Sequence, residues 1–318
     1  MNPGIFASQL FQTLLAVLVA PLMLGWVNRC RAWLQNKSAP SLLQPYRTLF
    51  KLFRKEAVLA QNASWLFRLA PYVVFGCMVL AVSIVPVLAI DLPFSPAADV
   101  IALVGLLATA RVFMALASMD IGTAFGSLGA RREMLIASLA EPALLMVFFT
   151  PALISHSTAL TTIVEVLGHR AITIHPSLAF AAVAFVMVLL AENARIPVDN
   201  PATHLELTMI HEAMLLEYSA RHLALMEWAH ALKLMTYTCI GIALFLPWGI
   251  AQAGDWRMLP LAILVLAVKL SLAGAGLALL ETVSAKMRIF RVPEFLGMAF
   301  LLAVLGMLTH FLLEAKVA

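Results

Sequence analysis

Hydrophobic residues are concentrated in eight long runs that are separated by polar segments. The runs cover residues 5–27, 69–90, 98–119, 134–154, 174–194, 226–251, 258–281 and 295–313. An α-helix needs about 20 apolar residues to cross a bilayer, and each run is close to that length. Strand-like alternation with turn signals does not repeat along the chain, which argues against a membrane β-barrel. The pattern predicts an all-α integral membrane protein with eight transmembrane helices, organised as a single polytopic domain over residues 1–318.

The first long polar segment, residues 36–68, contains a stretch with the pattern of an amphipathic helix. In SLLQPYRTLFKLFRKE, apolar residues recur at helical spacing opposite basic ones. The basic residues of this stretch are Arg47, Lys51, Arg54 and Lys55. A basic amphipathic helix lies at the membrane interface. There it either rests on anionic headgroups or docks a peripheral protein, and the pattern leaves both roles open.

The second long polar segment, residues 195–225, is acidic. Its apolar residues recur at a spacing that predicts short amphipathic helices: Leu205, Met209, Leu215 and Leu216. Glu192 precedes the segment at the end of the fifth run, and Glu227, His230 and Lys233 follow it within the sixth. Ionisable groups at membrane depth are costly and therefore indicate a functional site. We interpret residues 187–233 as the functional region.

Further charged residues fall within or at the ends of the apolar runs. Arg111 and Lys269 lie inside the third and seventh runs, and Glu281 ends the seventh. Glu227 and Glu281 are interpreted either as functional acids or as span-end anchors and ion-paired structural acids. An unpaired ammonium at the position of Lys269 would cost about 3 kcal/mol on insertion scales, so we expect a partner acid or a water-filled cavity beside it.

The composition excludes a soluble globular protein and bears on orientation. Hydrophobic residues make up 63% and charged residues 12% of the chain, whereas soluble domains have about 25% charged residues. Fifteen basic residues lie in or beside the odd-numbered connections: Arg29, Arg31, Lys37, Arg47, Lys51, Arg54, Lys55, Arg68, Arg131, Arg132, Arg195, Arg221, Lys286, Arg288 and Arg291. The opposite connections and the C-terminal tail have three, Arg170, Arg257 and Lys316. The positive-inside rule then predicts cytoplasmic odd-numbered connections and two periplasmic termini. Orientation explains the basic excess better than nucleic-acid binding does.

Cysteines and histidines do not form a recognisable metal motif. The three cysteines are scattered without CxxC spacing, so they cannot by themselves hold a structural zinc ion or an iron–sulfur cluster. His204, His211 and His222 share the acidic segment with several glutamates, yet HExxH is missing. We therefore predict no metal ligands and interpret these histidines as interface or proton-relay residues.

Two motifs, in this order along the chain, carry a resemblance to a known family. The first is PSLLQPYRTLFKLFRKE, and the second is Glu192 followed by LEYSARHLAL, with EYS at residues 217–219. Together they resemble the complex I subunit 1 family, the membrane subunit that forms the floor of the quinone chamber, over nearly the whole chain. The acidic segment reads NPATHLELTMIHEAMLLEYSA, with extra residues before Glu217 and Ala220 where glycine is usual. This form is more similar to the membrane subunits of group 4 hydrogenases of the formate hydrogenlyase and hydrogenase-4 type.

The resemblance implies a membrane subunit that is not catalytic itself but belongs to an oxidoreductase complex in the bacterial inner membrane. It would bind no cofactor, anchor a cytoplasmic arm and conduct protons. Its implied partners are the lipid bilayer, hydrogenase-type large and small subunits with nickel–iron and iron–sulfur centres, and antiporter-like membrane subunits. The implied proton-path residues are Glu141, Glu192, Glu206, Glu212 and Glu217. Glu141 would lie about two turns inside the fourth helix if that helix begins near Met134.

Two other functions compete with this one. The first is a quinone-binding subunit of a complex I-type NADH dehydrogenase, in which the headgroup would bind beneath the segment after the first span. The second is a stand-alone secondary transporter, which is disfavoured because the chain shows no internal repeat and no paired spans broken by glycine or proline.

Overall fold

The computed structural model describes residues 3–90, 93–94, 98–169, 176–199, 209–252 and 257–314. Within these ranges the chain is mostly helical. The helices are α1 Pro3–Leu34, α2 Gln44–Phe53, α3 Trp65–Ile84, α4 Val100–Asp120, α5 Ala124–Ser155, α6 Leu160–His169, α7 Pro176–Glu192, α8 His211–Leu215, α9 Ala220–Phe245, α10 Leu259–Val283 and α11 Val292–Glu314. Two strands of two residues, β1 Ala89–Ile90 and β2 Ala251–Gln252, pair in parallel.

Seven of the described helices are long and apolar enough to cross a membrane: α1, α3, α4, α5, α9, α10 and α11. The predicted all-α membrane protein is thereby confirmed. The fifth predicted span corresponds to α7, which is equally apolar but has 17 residues. The count of eight spans stays a prediction.

Several helix ends differ from the predicted ones. Helix α5 begins at Ala124 rather than at residue 134, because the Thr123 hydroxyl accepts a hydrogen bond from the Gly126 amide and caps an earlier start. Glu133 therefore belongs to the helix, and Glu141 lies about 25 Å from its first residue at 1.5 Å per residue, not two turns inside it. Helix α1 continues to Leu34, and α6 was not predicted.

Helix α9 lies at the centre of the bundle. In an apolar stretch of 18 residues within α9, 78% of the residues are buried, against 28% in the corresponding stretches of α10 and α11. It packs against α1, α2, α3 and α7, while α11 packs on α5 and α7 and α10 packs on α1. Side chains on α9 therefore face several other helices at once, which is the geometry that a site inside a helix bundle requires.

The four segments that carry most of the basic residues meet at one end of the bundle. The Val58 amide donates to the Ser219 hydroxyl at 2.9 Å, and the Ser64 amide donates to Asp120 Oδ2 at 2.9 Å. The Arg132 guanidinium donates to the Met209 carbonyl at 2.9 Å. The Met287 amide, after α10, donates to the Pro197 carbonyl, after α7, at 2.9 Å. The connections after α1, α4, α7 and α10 thus share one end. At the opposite end β1 pairs with β2, and Asp99 pairs with Ala159 in an isolated bridge.

Close backbone contacts hold α2 and α8 against the bundle. A Cβ on Gly25 would lie 2.3 Å from the Leu42 carbonyl oxygen, and one on Gly129 would lie 2.9 Å from the Ile210 carbonyl oxygen. Glycine at these two positions lets α1 and α5 approach the two polar segments. Both segments are thereby brought over the cytoplasmic end that the sequence predicts.

Candidate functional site

A buried cluster of four charged side chains joins α4, α5, α7 and α9. Arg111 on α4 pairs with Glu141 Oε1 on α5 at 2.8 Å and with Glu192 Oε2 on α7 at 2.7 Å. Lys233 on α9 pairs with the same Glu192 oxygen at 3.1 Å. Two cations and two anions therefore balance one another, as burial of charge requires.

The members of this cluster differ in exposure. Glu192 and Arg111 are buried, whereas 34% of the Glu141 side chain is exposed on the outer face of the bundle. The cluster thus extends from the middle of the bundle to its lateral surface. Glu141 and Glu192 were predicted as site residues, and Arg111 and Lys233 as charged residues at membrane depth. The sequence did not indicate that these four side chains form one network.

Two further polar side chains adjoin the cluster and were missed by the sequence interpretation. The buried Tyr237 hydroxyl on α9 is a direct neighbour of the Glu192 carboxylate. Glu133 on α5 is buried and lines a small cavity together with Arg111 and Lys233. Because Glu133 follows Arg131 and Arg132 directly, it read as part of a charged connection. A predicted start of α5 before residue 133 would have placed Glu133 inside the helix.

A second ionic cluster, at the end of the bundle where the basic segments meet, is centred on Glu281. Its Oε1 atom pairs with Arg195 at 3.1 Å and its Oε2 atom with Arg31 at 3.4 Å. The Arg31 guanidinium also donates to the Asn28 side chain. Asp199 pairs nearby with Lys286 at 3.4 Å. This geometry is that of an ion-paired acid, one of the two interpretations of Glu281 that the sequence left open.

Two adjoining cavities lie at the same end. The larger, about 220 Å³, lies between α1, the segment after α7, α8 and α9. Its polar lining residues include Asn28, Arg31, Arg195, Asp199, His211, Glu212, Glu227 and His230. The second, about 200 Å³, lies beneath α2 and shares Leu24, Asn28 and Glu227 with the first. Together they form a space, bordered by polar and apolar side chains, that leads from α2 toward the middle of the bundle.

Two histidines lie at the inner wall of this space. The rings of His211 on α8 and His230 on α9 have centroids 4.7 Å apart. Both rings also line the small cavity of about 30 Å³ that Glu133, Arg111 and Lys233 border. Burial, reinforced by the positive charge of Lys233, lowers the pKa of His211 to about 3. His211 is therefore a neutral imidazole at physiological pH.

The EYS motif holds the acidic segment to the first polar segment. Tyr218 stacks on Phe67 with ring centroids 4.0 Å apart, and its hydroxyl donates to the Phe67 carbonyl at 3.1 Å. The Ser219 hydroxyl donates to the Val58 carbonyl at 2.6 Å. Glu217 itself is exposed at the surface. Of the other predicted acids, Glu212 and Glu227 line the larger cavity, and Glu206 lies outside the described residues.

The basic residues predicted to dock a partner lie on or just after α2. Arg47 and Lys51 are on the helix, Arg54 and Lys55 follow its last residue, and all four are exposed. The apolar face of α2 packs on the bundle through Leu49, which is buried, and through Phe53, which contacts Trp228 with centroids 6.3 Å apart. The predicted amphipathic helix is therefore present, with its charges directed away from the bundle.

Among the described residues, Lys269 pairs with backbone carbonyls rather than with an acid. Its ammonium group donates to the carbonyl of Leu246 at 2.5 Å and to that of Trp248. These carbonyls lie at and just beyond the C-terminal end of α9, where helix carbonyls lack intrahelical donors. A helix end thus supplies acceptors for Lys269 that the sequence did not indicate, and the expectation of a partner acid or a water-filled cavity stays a prediction. Within the described ranges no group of three His, Cys, Asp or Glu side chains could hold a metal ion.

Comparison with known proteins gives concordant results. Residues 8–312 match the family model described as NADH dehydrogenase. The chain is 32% identical over 296 residues to formate hydrogenlyase subunit 4 of Escherichia coli K12, covering 92% of this chain and 95% of that protein. It is also 32% identical over 300 residues to hydrogenase-4 component C of the same organism, covering 93% of each.

A solved structure shares the fold. It is that of the membrane-bound sulfane sulfur reductase, an archaeal respiratory membrane complex, one chain of which superposes with a TM-score of 0.80. The match covers 96% of this chain and 99% of that one at 19% identity. The matches in sequence extend over nearly the whole chain and include both motifs. The chain therefore belongs to the NADH dehydrogenase membrane-subunit family, the complex I subunit 1 family that its two motifs resemble.

Proposed function

We propose that the chain is the membrane subunit of a group 4 hydrogenase-type complex, where it anchors a cytoplasmic redox arm and conducts protons between that arm and the membrane. The two E. coli relatives support the type of complex, since their names place them in formate hydrogenlyase and hydrogenase-4. In this proposal the arm consists of large and small subunits that carry nickel–iron and iron–sulfur centres. The complex lies in the inner membrane, and both termini of this chain are periplasmic.

The observation that carries the proposal is the continuity of polar groups across the bundle. The larger cavity begins at the end where the basic segments meet, and it is bordered by Glu212 and Glu227. The small cavity continues from it to Arg111 and Lys233, which both hold Glu192. Arg111 then links Glu192 to the partly exposed Glu141. Proton conduction needs titratable groups or waters at such intervals.

The exposed part of Glu141 indicates where an antiporter-like subunit would bind. A carboxylate on a lipid-facing helix surface is costly, so this position suits a protein interface. The neighbouring exposed residues Met134, Leu135 and Ser138 on α5 supply an otherwise uncharged face. We propose that the proton path leaves the chain here, toward a partner membrane subunit.

Replacement of Glu192 tests the proposal. Gln keeps the size of the side chain but cannot titrate, so Glu192→Gln should reduce hydrogenase-linked turnover or proton uptake per assembled complex. Glu192→Asp should be milder. Glu165→Gln is the matched control, since Glu165 is an exposed acid on α6, away from the cavities. Wild-type turnover and proton uptake in Glu192→Gln membranes would refute a proton path through Glu192.

Docking of the arm is tested by reversing the charges of α2. Arg47, Lys51 and Arg54 replaced together by Glu should release the arm into the soluble fraction while this chain stays in the membrane. An exposed ion pair contributes less than about 1 kcal/mol, so each single replacement should have little effect. Glu217→Gln should weaken proton coupling and also loosen the arm, since that exposed residue lies beside the EYS contacts. An arm that stays bound to the triple variant contradicts the docking role.

The cavity beneath α2 favours one second candidate function, quinone binding. Its lining combines apolar Leu24, Pro45 and Leu49 with polar Gln44 and Thr48, a mixture suited to a headgroup with an apolar tail. In this function the chain would serve a complex I-type NADH dehydrogenase. Co-purified quinone, or inhibition by a quinone analogue that is lost when Thr48 is replaced by Phe, would support this second function. Co-purified nickel without quinone would support the first.

A further inference from the structure

His211 and His230 stand where the larger cavity meets the small one. Both side chains line both cavities, and their ring centroids are 4.7 Å apart. They come from different elements, α8 and α9, and α8 is held in place by its contact with Gly129 of α5. The two imidazoles therefore form part of the wall between the space at the end of the bundle and the interior charges.

Each of these rings has an unused polar atom. His211 Nε2 and His230 Nδ1 are buried and make no hydrogen bond to any described residue. A buried polar nitrogen without a partner is costly, so its presence calls for a water or a function. The small cavity, at about 30 Å³, is large enough for a water molecule.

Burial keeps the His211 imidazole neutral, although charged groups lie on both sides of the histidine pair. On the side of the larger cavity lie Arg31, Arg195, Asp199, Glu212 and Glu227. On the inner side lie Arg111, Glu133 and Lys233. Burial and the positive charge of Lys233 lower the pKa of His211 to about 3. A neutral imidazole has one protonated and one free ring nitrogen, so it can accept a proton on one side while it releases one on the other.

We propose that His211 and His230 transfer protons between the larger cavity and Glu133, and thus connect the cytoplasmic end with the cluster around Glu192. In each transfer the free nitrogen of an imidazole binds one proton, and the proton on its other nitrogen leaves toward the next group. No net charge stays on either ring, and ring rotation restores the starting tautomers. Glu133 receives the proton across the small cavity that it shares with both histidines. This inference rests on the proposed proton-conducting function.

A buried histidine on α9 supplies a matched control. His222 packs edge-on against Tyr72 with centroids 5.9 Å apart, and it borders none of the three cavities described above. Like the pair, it has a buried nitrogen, Nδ1, without a partner among the described residues. A loss of packing or of a buried imidazole should therefore affect His222 variants in the same way as variants of the pair.

The experiment compares His211→Gln, His230→Gln, His222→Gln and Glu192→Gln in membranes that contain the assembled complex. Proton uptake per assembled complex should fall roughly tenfold or more in the first two, since a positioned proton-transfer group contributes at least that much. His222→Gln should stay near wild type, because His222 borders none of the three cavities, although the sequence interpretation grouped it with His211. His211→Ala should recover proton uptake when imidazole is added, because His211 borders the larger cavity. Pyrazole, which has the same shape but is a much weaker base, should restore far less.

The outcomes separate this inference from the proposed function. Wild-type proton uptake in both histidine variants, with a loss in Glu192→Gln, would overturn the inference and leave the proposed function standing. Equal rescue by imidazole and pyrazole would also overturn it, because only the filling of space would then matter. A loss in the histidine variants with a normal Glu192→Gln would support the histidines and refute the route through Glu192. If His211→Gln does not assemble, His211→Ala is assembled in the presence of imidazole instead. Rescue of its proton uptake by imidazole is then compared with rescue by pyrazole, and the same two outcomes support or overturn the inference.

Discussion

The pairing of Glu281 with Arg195 predicts a strong coupling between two residues that are 86 positions apart in the chain. The side chains of Glu281 and Arg195 are 1% and 3% exposed and lie 3.1 Å apart. Arg31 adds a second, weaker contact at 3.4 Å, and its side chain is 22% exposed. The variants of interest are Glu281→Leu, Arg195→Met and the two combined.

The loss in free energy of unfolding depends on which charge each variant leaves buried without its partner. Glu281→Leu leaves the Arg195 guanidinium without its carboxylate, and removing one partner of a buried pair costs about 3–5 kcal/mol. Arg195→Met leaves Glu281 with Arg31, so about 2–3 kcal/mol, the contribution of a charged hydrogen bond, should be lost. The double variant removes both buried charges and should recover most of the loss, because apolar replacement of a whole buried pair is often neutral. The coupling energy should therefore be about 2 kcal/mol or more.

Reversible unfolding of the purified chain in mixed micelles of mild detergent and SDS measures these free energies. Arg31→Gln is the matched control, and because that side chain is partly exposed it should cost about 1 kcal/mol or less. The expected order of stability is wild type, then Arg31→Gln and the double variant, then Arg195→Met, then Glu281→Leu. A double variant whose loss equals the sum of the two single losses would refute the coupling. Full stability of Glu281→Leu would refute the structural role of this acid.

Three further predictions concern other parts of the molecule. Lys269→Met should lower the free energy of unfolding by about 1–3 kcal/mol, because it removes the donor to the carbonyls at the end of α9. Proton uptake per assembled complex should not change, and a drop in proton uptake would contradict the purely structural role of Lys269. The pKa of His211 is lower in the folded than in the unfolded state, so its stabilising contribution is present above pH 6.5 and is lost as the pH falls toward 3. Wild type should therefore lose up to about 2 kcal/mol relative to His211→Gln between pH 8 and pH 5, and a constant difference in unfolding free energy over this range would exclude the shift. A reporter fused after Ala318 should be active only when it is of a type that functions in the periplasm, and activity of a cytoplasmic reporter instead would reverse the proposed orientation.

The sequence by itself was sufficient for the membrane class, the approximate spans, the amphipathic helix α2 and the family. Each of these depends on local properties: the transfer of about 20 consecutive apolar residues into lipid, or the alternation of Leu49 and Phe53 with Arg47 and Lys51 on one short helix. Such properties depend only on residues that are close together in the chain, so they can be predicted without knowing which distant residues are in contact. For the same reason the sequence could nominate Glu141 and Glu192 as acids at membrane depth. The sequence could not identify Glu133 as a site residue. Its neighbours Arg131 and Arg132 gave the first turns of α5 the pattern of a polar connection between helices.

Only the tertiary structure decided which charges meet. Arg111 binds Glu192, which is 81 positions away, because α4 and α7 each turn one face toward α9. The rotation of a helix about its axis is determined by its packing, for example by the approach of α8 to Gly129, and the hydropathy of the helix does not encode it. The partners of Lys269 also could not be predicted from the sequence. They are backbone carbonyls at the end of α9, which any residue type could supply. The histidine pair likewise depends on the position of α8 over α9, so only the folded chain brings His211 to His230.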